Sequence, residues 1–197
     1  MEEIKKSVQE HIYSHLSTPN VLLSEREIAQ KFNLMRGNVR EIMLSMEGEG
    51  ILERLPQRGY RCINYRKTEQ KTIYAVRYVV EHEAVRCAIK IAEREVLLRL
   101  ALLLEEMEQH IKDHDYEQFA KADMEFHTAL VAASRDNFLI RIFDFMSATV
   151  FRLNRNTDPL ARDAMRSHQE IYRYFKNKDW DNTEKALRFH LARGVSL

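Results

Sequence analysis

Asp123 and His127 stand four residues apart in the stretch ADMEFHTAL, residues 122–130. Read as a helix, that spacing puts both on one face, with Cβ atoms about 5–6 Å apart. Phe119, Phe126 and Leu130 share the face. A carboxylate and an imidazole are both costly to bury without partners. Two further histidines fall at comparable positions: His168 with Ala164, Ile171 and Phe175, and His190 with Thr183, Ala186 and Leu187. Three helices of one bundle would thus each turn a metal-competent side chain inward. Three imidazoles and one carboxylate suit a divalent first-row ion, zinc first, with nickel or manganese as alternatives. The competing reading is a buried hydrogen-bond network in which Asp123 pairs with His127 or with an arginine. His11, His15, His82, His110 and His114 show no such grouping.

A second set of candidates is basic and lies in the first third of the chain. A helix is expected over about Glu3–Leu16, with Ile4, Val8, Ile12 and Leu16 on one stripe. The turn STPN and a short apolar VLL follow. SEREIAQKF opens with Ser24 and has Glu27 three residues on, the signature of a capping box. NLM makes a tight turn into RGNVREIMLSMEGEG, which ends at Gly48 and Gly50. ILERL and YRCINY, joined by PQRG, read as a hairpin. Two short helices, a tight turn and a hairpin are the parts of a winged helix-turn-helix. In such a unit the second helix enters the major groove and its first residues read base edges. Here that end carries Arg36, Gly37, Asn38 and Arg40. Arginine suits guanine and asparagine suits adenine. Arg26 is placed to reach the backbone or a base, and the hairpin-tip residues Gln57, Arg58 and Gly59 to reach the minor groove.

Beyond Tyr65 the chain reads as helix almost throughout. The charged segment RKTEQKT, residues 66–72, is expected to be a linker. Six amphipathic helices follow, over about Ile73–Ala92, Glu93–Lys112, Tyr116–Ala133, Phe138–Asn154, Pro159–Lys176 and Trp180–Arg193. The expected fold is mainly α: a winged helix-turn-helix over 1–65, then an all-α antiparallel bundle over 73–197. With 45% apolar and 31% charged residues, a sizeable folded core is expected. The net charge is only +1 (+2 over residues 1–68, −1 thereafter), so the DNA reading rests on arrangement rather than on global attraction. Cys62 and Cys87 lie far apart and read as ordinary thiols of a reducing compartment. The opening MEEIKKSVQE is not apolar, and the run VLLRLALLL is short and interrupted by Arg99. A cytoplasmic chain without membrane association is expected.

These motifs carry a resemblance. LLSEREIAQKFNLMRGNVREIMLSMEGEGILERLPQRGY resembles the DNA-binding domain of GntR-family transcription regulators, through Ser24, Glu25, Ile28, Ala29, Arg36, Val39, Arg40, Glu41, Glu49, Gly50 and Gly59. The resemblance implies that Arg26, Arg36, Arg40 and Gly59 contact operator DNA. It departs at Met35, where a Ser/Thr cap is usual, at Gly37 and Asn38, and in the shorter STPN turn. DMEFHTALVAASRDNFL, together with SHQEIYRYFKNKDWDNTEKALRFHL, resembles the FCD effector-binding domain of the FadR-like branch, in its shorter, VanR-like form. That likeness places Asp123, His127, His168 and His190 on the four metal-ligand positions, and Asn137 on a structural asparagine. It implies a small organic acid bound at or beside the metal.

Arg77 is the candidate second anchor for such an acid. It lies at the edge of the stripe Ile73, Val76, Val80, Ala84, and a guanidinium grips a carboxylate bidentately. A rim arginine paired with Glu81 at i+4 is the alternative. The expected working form is a homodimer on double-stranded operator DNA, two recognition helices meeting an inverted repeat. The outcome expected from the family is repression released by effector. Two further readings stand beside it. One is a metal-responsive regulator, or a structural ion without an organic effector. The other is a metal-dependent hydrolase, since an open His/Asp site can activate water.

Overall fold

The computed structural model describes residues 2–15, 21–154 and 161–193, which form two compact units, residues 1–66 and 67–197. The first unit contains α1 (Glu2–Ser14), β1 (Leu22–Leu23), α2 (Glu25–Phe32), α3 (Arg36–Gly48), β2 (Leu52–Leu55) and β3 (Gly59–Cys62). The three strands form one antiparallel sheet in the order β1-β3-β2, with Leu23 opposite Tyr60 and Arg54 opposite Tyr60 on its other side. Val8 and Ile12 of α1, Ile28 and Ala29 of α2, and Val39, Ile42, Met43 and Met46 of α3 are buried, as are Leu23, Ile51, Leu52 and Tyr60. Leu16, the last residue of the expected α1 stripe, and the STPN turn lie outside the described residues.

The turn between α2 and α3 is built on Asn33 in a left-handed conformation (φ 51°, ψ 48°), with its N–H and that of Leu34 donating to the last carbonyls of α2. Asparagine accepts this region more readily than most residues. Ser24 sits at the N-cap of α2 in extended conformation, but its side chain makes no cap hydrogen bond. The expected capping box is therefore not formed. Glu25 and Glu27 still place negative charge in the first turn, where the helix dipole favours it. Met35 caps α3 without a side-chain bond, as a thioether must.

Gly59 begins β3 at φ +88°, and a Cβ there would stand 2.4 Å from the carbonyl oxygen of Leu23. The wing can pair with β1 only because this residue has no side chain. The close approach that glycine permits here is to β1, a strand whose two residues carry little sequence signal.

The second unit is a bundle of six helices: α4 (Lys67–Ile91), α5 (Arg94–Lys112), α6 (Tyr116–Ala132), α7 (Asn137–Asn154), α8 (Ala161–Lys176) and α9 (Trp180–Arg193). α4 packs on α6, α7 and α9, α5 packs on α6 and α8, and α8 packs on α9. Its main core joins Val85 and Ala88 of α4, Leu100 and Leu103 of α5, Phe126 and Leu130 of α6, Ile171 and Phe175 of α8 and Leu187 of α9. The expected linker is corrected: from Lys67 on it forms the first turns of α4. Lys, Glu and Gln are good helix formers, so a charged, apolar-free stretch does not by itself mark a break. Asp115 caps α6 by accepting from Gln118 N–H, and Asp136 caps α7 by accepting from Phe138 and Leu139 N–H. Asn137 is the exposed first residue of α7, and Asp136 does the capping beside it. Pro159, expected in the first turn of α8, lies outside the described residues.

Gly59→Ala should destabilise the protein by about 2–4 kcal/mol, from backbone strain plus overpacking against Leu23. Chemical denaturation followed by circular dichroism checks this. A stability unchanged within error would mean that the hairpin can move away from β1 freely.

Candidate metal centre

α6 presents Asp123 and His127 one turn apart, α8 presents His168 and α9 presents His190. One ligand atom from each of the four lies within 4.8 Å of the others. His127 and His168 are fully buried, Asp123 nearly so, and His190 keeps a small exposed edge. Phe126 packs edge-on against the His168 ring, with centroids 5.0 Å apart, and closes the apolar side. α9 is held to α4 by Tyr78 Oη, which donates to Glu184 Oε1 at 2.8 Å, while Arg188 donates to the same carboxylate and lies over the Tyr78 ring.

The proton positions follow from the partners of each ring. His168 Nδ1 is 2.8 Å from the carbonyl oxygen of Ala164, which can only accept, so Nδ1 carries the proton. His127 Nδ1 is 2.6 Å from Glu81 Oε2 and donates to it. Ser167 Oγ has one proton and gives it to the Ala164 carbonyl at 2.7 Å, so it accepts from His190 Nδ1 at 2.8 Å. All three Nδ1 protons are thus committed outward. The three Nε2 lone pairs then face one another: His127 to His190 at 3.0 Å and His127 to His168 at 3.2 Å, with Asp123 Oδ1 2.9 Å from His168 Nε2. Three lone pairs and a carboxylate oxygen at these distances repel unless a cation stands among them. For donors about 2.1 Å from an ion, neighbours at right angles are separated by ~3.0 Å and tetrahedral ones by ~3.4 Å. The three short separations, 2.9, 3.0 and 3.2 Å, are close to these values, so the residues present fit a divalent ion.

Burial alone would raise the Asp123 carboxyl; a protonated His168 beside it, and then protonated His127 or His190, would outweigh burial and hold the group far below the usual carboxylate range. Burial pushes His127 down, partly opposed by Glu81, and pushes His190 down further with help from the neighbouring rings. Neutral imidazoles and an ionised carboxylate are the ligand forms that a metal needs.

Arg77 is not at the edge of its helix's inner face. It is 2% exposed and lies in the middle of a buried stripe formed by Tyr74, Arg77, Val80, Glu81 and Ala84, while Val76, expected inside, faces outward at 44% exposure. Its Nε donates to Glu81 Oε1 at 2.5 Å. The i+4 pairing with Glu81 is therefore present, but as a buried ion pair. The Arg77 Nη2 atom has no hydrogen-bond partner. Sequence reasoning missed two residues of the site, Glu81 and Ser167. The Arg77/Glu81 spacing was the one signal for the first.

In the N-terminal unit Arg26, Arg36, Arg40 and Arg58 are exposed. Arg36 and Arg40 lie one turn apart at the start of α3. Asn38 is half-buried and lines a groove with Ile4 and Lys5 of α1, apart from these two arginines. Arg61, by contrast, is engaged with Glu53 of the neighbouring strand.

Two family models match the chain: bacterial regulatory proteins of the gntR family over residues 1–61, and the FCD domain over residues 72–193. Similar proteins include the HTH-type transcriptional repressor RspR of Escherichia coli (strain K12), 24% identical over 193 residues, 96% of this chain and 85% of that protein. The gluconate operon transcriptional repressor of Bacillus licheniformis is 26% identical over 185 residues, 89% of this chain and 75% of its own. Among solved structures, E. coli McbR/YncC shares the fold with a TM-score of 0.80 at 20% identity, covering 98% of this chain and 95% of that one.

Chelator-treated protein should lose stability as pH falls. The lowered His127 and His190 rings bind fewer protons folded than unfolded below about pH 6.5, so acid favours the unfolded chain. Each ring that stays neutral contributes a slope of about 1.4 kcal/mol per pH unit. Urea midpoints at pH 7, 6 and 5 measure the slope, and a flat profile would show that the folded site takes up protons as readily as the unfolded chain.

Proposed function

The chain belongs to the GntR family of bacterial regulatory proteins, with an FCD domain after its winged helix, and from that premise we propose a repressor whose operator affinity is set by a small carboxylate bound at a divalent metal. It is a transcription regulator and not an enzyme, which removes the hydrolase reading. The observation that carries the metal is the convergence of three Nε2 lone pairs and the Asp123 carboxylate. Zinc is the proposed ion, with Asp123, His127, His168 and His190 as ligands. When bound it supplies a Lewis-acidic centre for a carboxylate oxygen.

Charge supports the anion. Arg77, Glu81 and Asp123 with three neutral rings leave the buried site at one negative charge, which a divalent ion turns into one positive charge. One carboxylate neutralises that excess, and the Arg77 Nη2 atom is the open donor beside it. Gluconate, which gives one relative's operon its name, is itself a small carboxylate.

On the DNA side, Arg36 and Arg40 are proposed to read base edges from the start of α3, with Asn38 at its flank. Arg26 is assigned to the phosphates or a base, and Arg58 and Gly59 to the wing's groove. Among the described residues no ion pair engages Arg26, Arg36 or Arg58, which leaves their charges available. A homodimer on an inverted repeat is the proposed assembly, working in the cytoplasm. No described helix is long and apolar enough to cross a membrane.

Metal analysis of protein purified without added metal or a His-tag tests the centre. About one ion per chain is expected, lost in Asp123→Ala/His127→Ala. No ion, even after zinc, nickel and manganese soaks, would leave these residues as an internal hydrogen-bond network. For DNA, Arg40→Ala and Arg36→Ala should each weaken binding to a duplex selected from a random pool by about 1–3 kcal/mol. Binding unchanged in both would remove α3 as the reading helix.

A further inference from the structure

Glu81 has no place in the ligand set, yet it is fully buried and shared between two partners. Its Oε1 accepts from Arg77 Nε at 2.5 Å and its Oε2 accepts from His127 Nδ1 at 2.6 Å. Arg77, Glu81 and His127 thus form one buried chain of charge-assisted bonds that runs from α4 into α6 and ends at the centre of the cluster. The other two rings are oriented by weaker partners, an Ala164 carbonyl and the Ser167 hydroxyl, both on α8. The His127 Nε2 faces those of both other rings, at 3.0 Å from His190 and 3.2 Å from His168.

A free imidazole has two tautomers, and only one of them presents an Nε2 lone pair to the centre. The carboxylate of Glu81 selects that one, because it accepts and cannot donate. Arg77 in turn anchors the Glu81 carboxylate by its other oxygen, through the Nε–Oε1 bond, and so holds Oε2 against His127 Nδ1. A second carboxylate behind a ligating histidine also raises the basicity of its far nitrogen, and losing such a partner commonly weakens metal binding 10–100-fold.

We propose that Glu81, anchored by Arg77, is the positioning residue of the metal centre: it fixes His127 as the Nδ1–H tautomer and thereby sets the affinity for the ion. The inference rests on the metal reading above for its affinity part and on the side-chain geometry alone for its tautomer part. Glu81 does not touch the ion itself.

The test compares the full-length wild type, Glu81→Gln, and Arg77→Met/Glu81→Gln. The double variant removes both buried charges together, so that an unpaired guanidinium does not decide the result. Three quantities are read: thermal midpoint, zinc dissociation constant by chelator competition, and the 15N shifts of the His127 ring in the metal-free protein. In the wild type, His127 should show a protonated Nδ1 and an unprotonated Nε2. In the folded double variant the two tautomers should mix and zinc should bind about 10–100-fold more weakly, while Glu81→Asp should recover part of the affinity. Zinc affinity and His127 shifts equal to wild type in a folded double variant would overturn the proposal and leave Glu81 a packing residue. A wild type that binds no zinc but shows the expected tautomer would overturn the metal reading, and with it the affinity part alone.

Discussion

An imidazole has two nitrogens and, when neutral, one proton. In the cluster of His127, His168 and His190 the partner of each Nδ1 accepts, and that constraint governs the centre of the second unit. Because the outer nitrogens are protonated, the inner ones cannot be, and four helices are brought together around a set of donors without a donor hydrogen among them. Buried polar groups are normally satisfied within the fold. Here satisfaction is complete on the outside of each ring and withheld on the inside, an arrangement that a cation would complete. The surrounding apolar contacts, Phe126 above all, make the site dry and raise the cost of leaving it unneutralised.

The N-terminal unit solves a different problem, how to hold a short helix rigidly while leaving its leading face bare. Val39, Ile42, Met43 and Met46 fix α3 to the core from one side, and Asn33 sets the angle at which it leaves α2. The sheet braces the hairpin through β1, and this depends on Gly59. Rigid support under exposed arginines would let them meet a partner without the entropy cost of ordering a loop.

How much of this was legible in the sequence depended on whether a feature was local. The Asp123/His127 pair is an i,i+4 relation, visible in any helical reading, and His168 and His190 each showed a face shared with apolar neighbours. The partners that orient the rings were not legible, because Glu81 meets His127 only through the packing of α4 on α6, and an Arg/Glu pair at i+4 ordinarily marks a surface. The same blindness misplaced the inner stripe of α4: two opposite charges that neutralise each other can be buried where periodicity counts only apolar residues. Gly59 reads in the sequence as a hairpin-tip residue that permits close approach to DNA, whereas the neighbour that requires a glycine is a two-residue strand with no pattern of its own. The charged stretch 66–72 reads from its polarity as a linker, whereas Lys67, Glu69, Gln70 and Lys71 are good helix formers and α4 begins at Lys67.

α4 connects these observations. It is the first helix after the winged unit, beginning at Lys67, and it carries Tyr74, Arg77 and Glu81 in successive turns of its buried face. Arg77 has an open donor, and Glu81 bonds a ring that points at the proposed ion. A carboxylate that bonds both the ion and Arg77 Nη2 would therefore pull on α4 and α6 together, and would do so more strongly with the ion present than without it. By linkage, the ion and the acid must then strengthen each other's binding by the same factor.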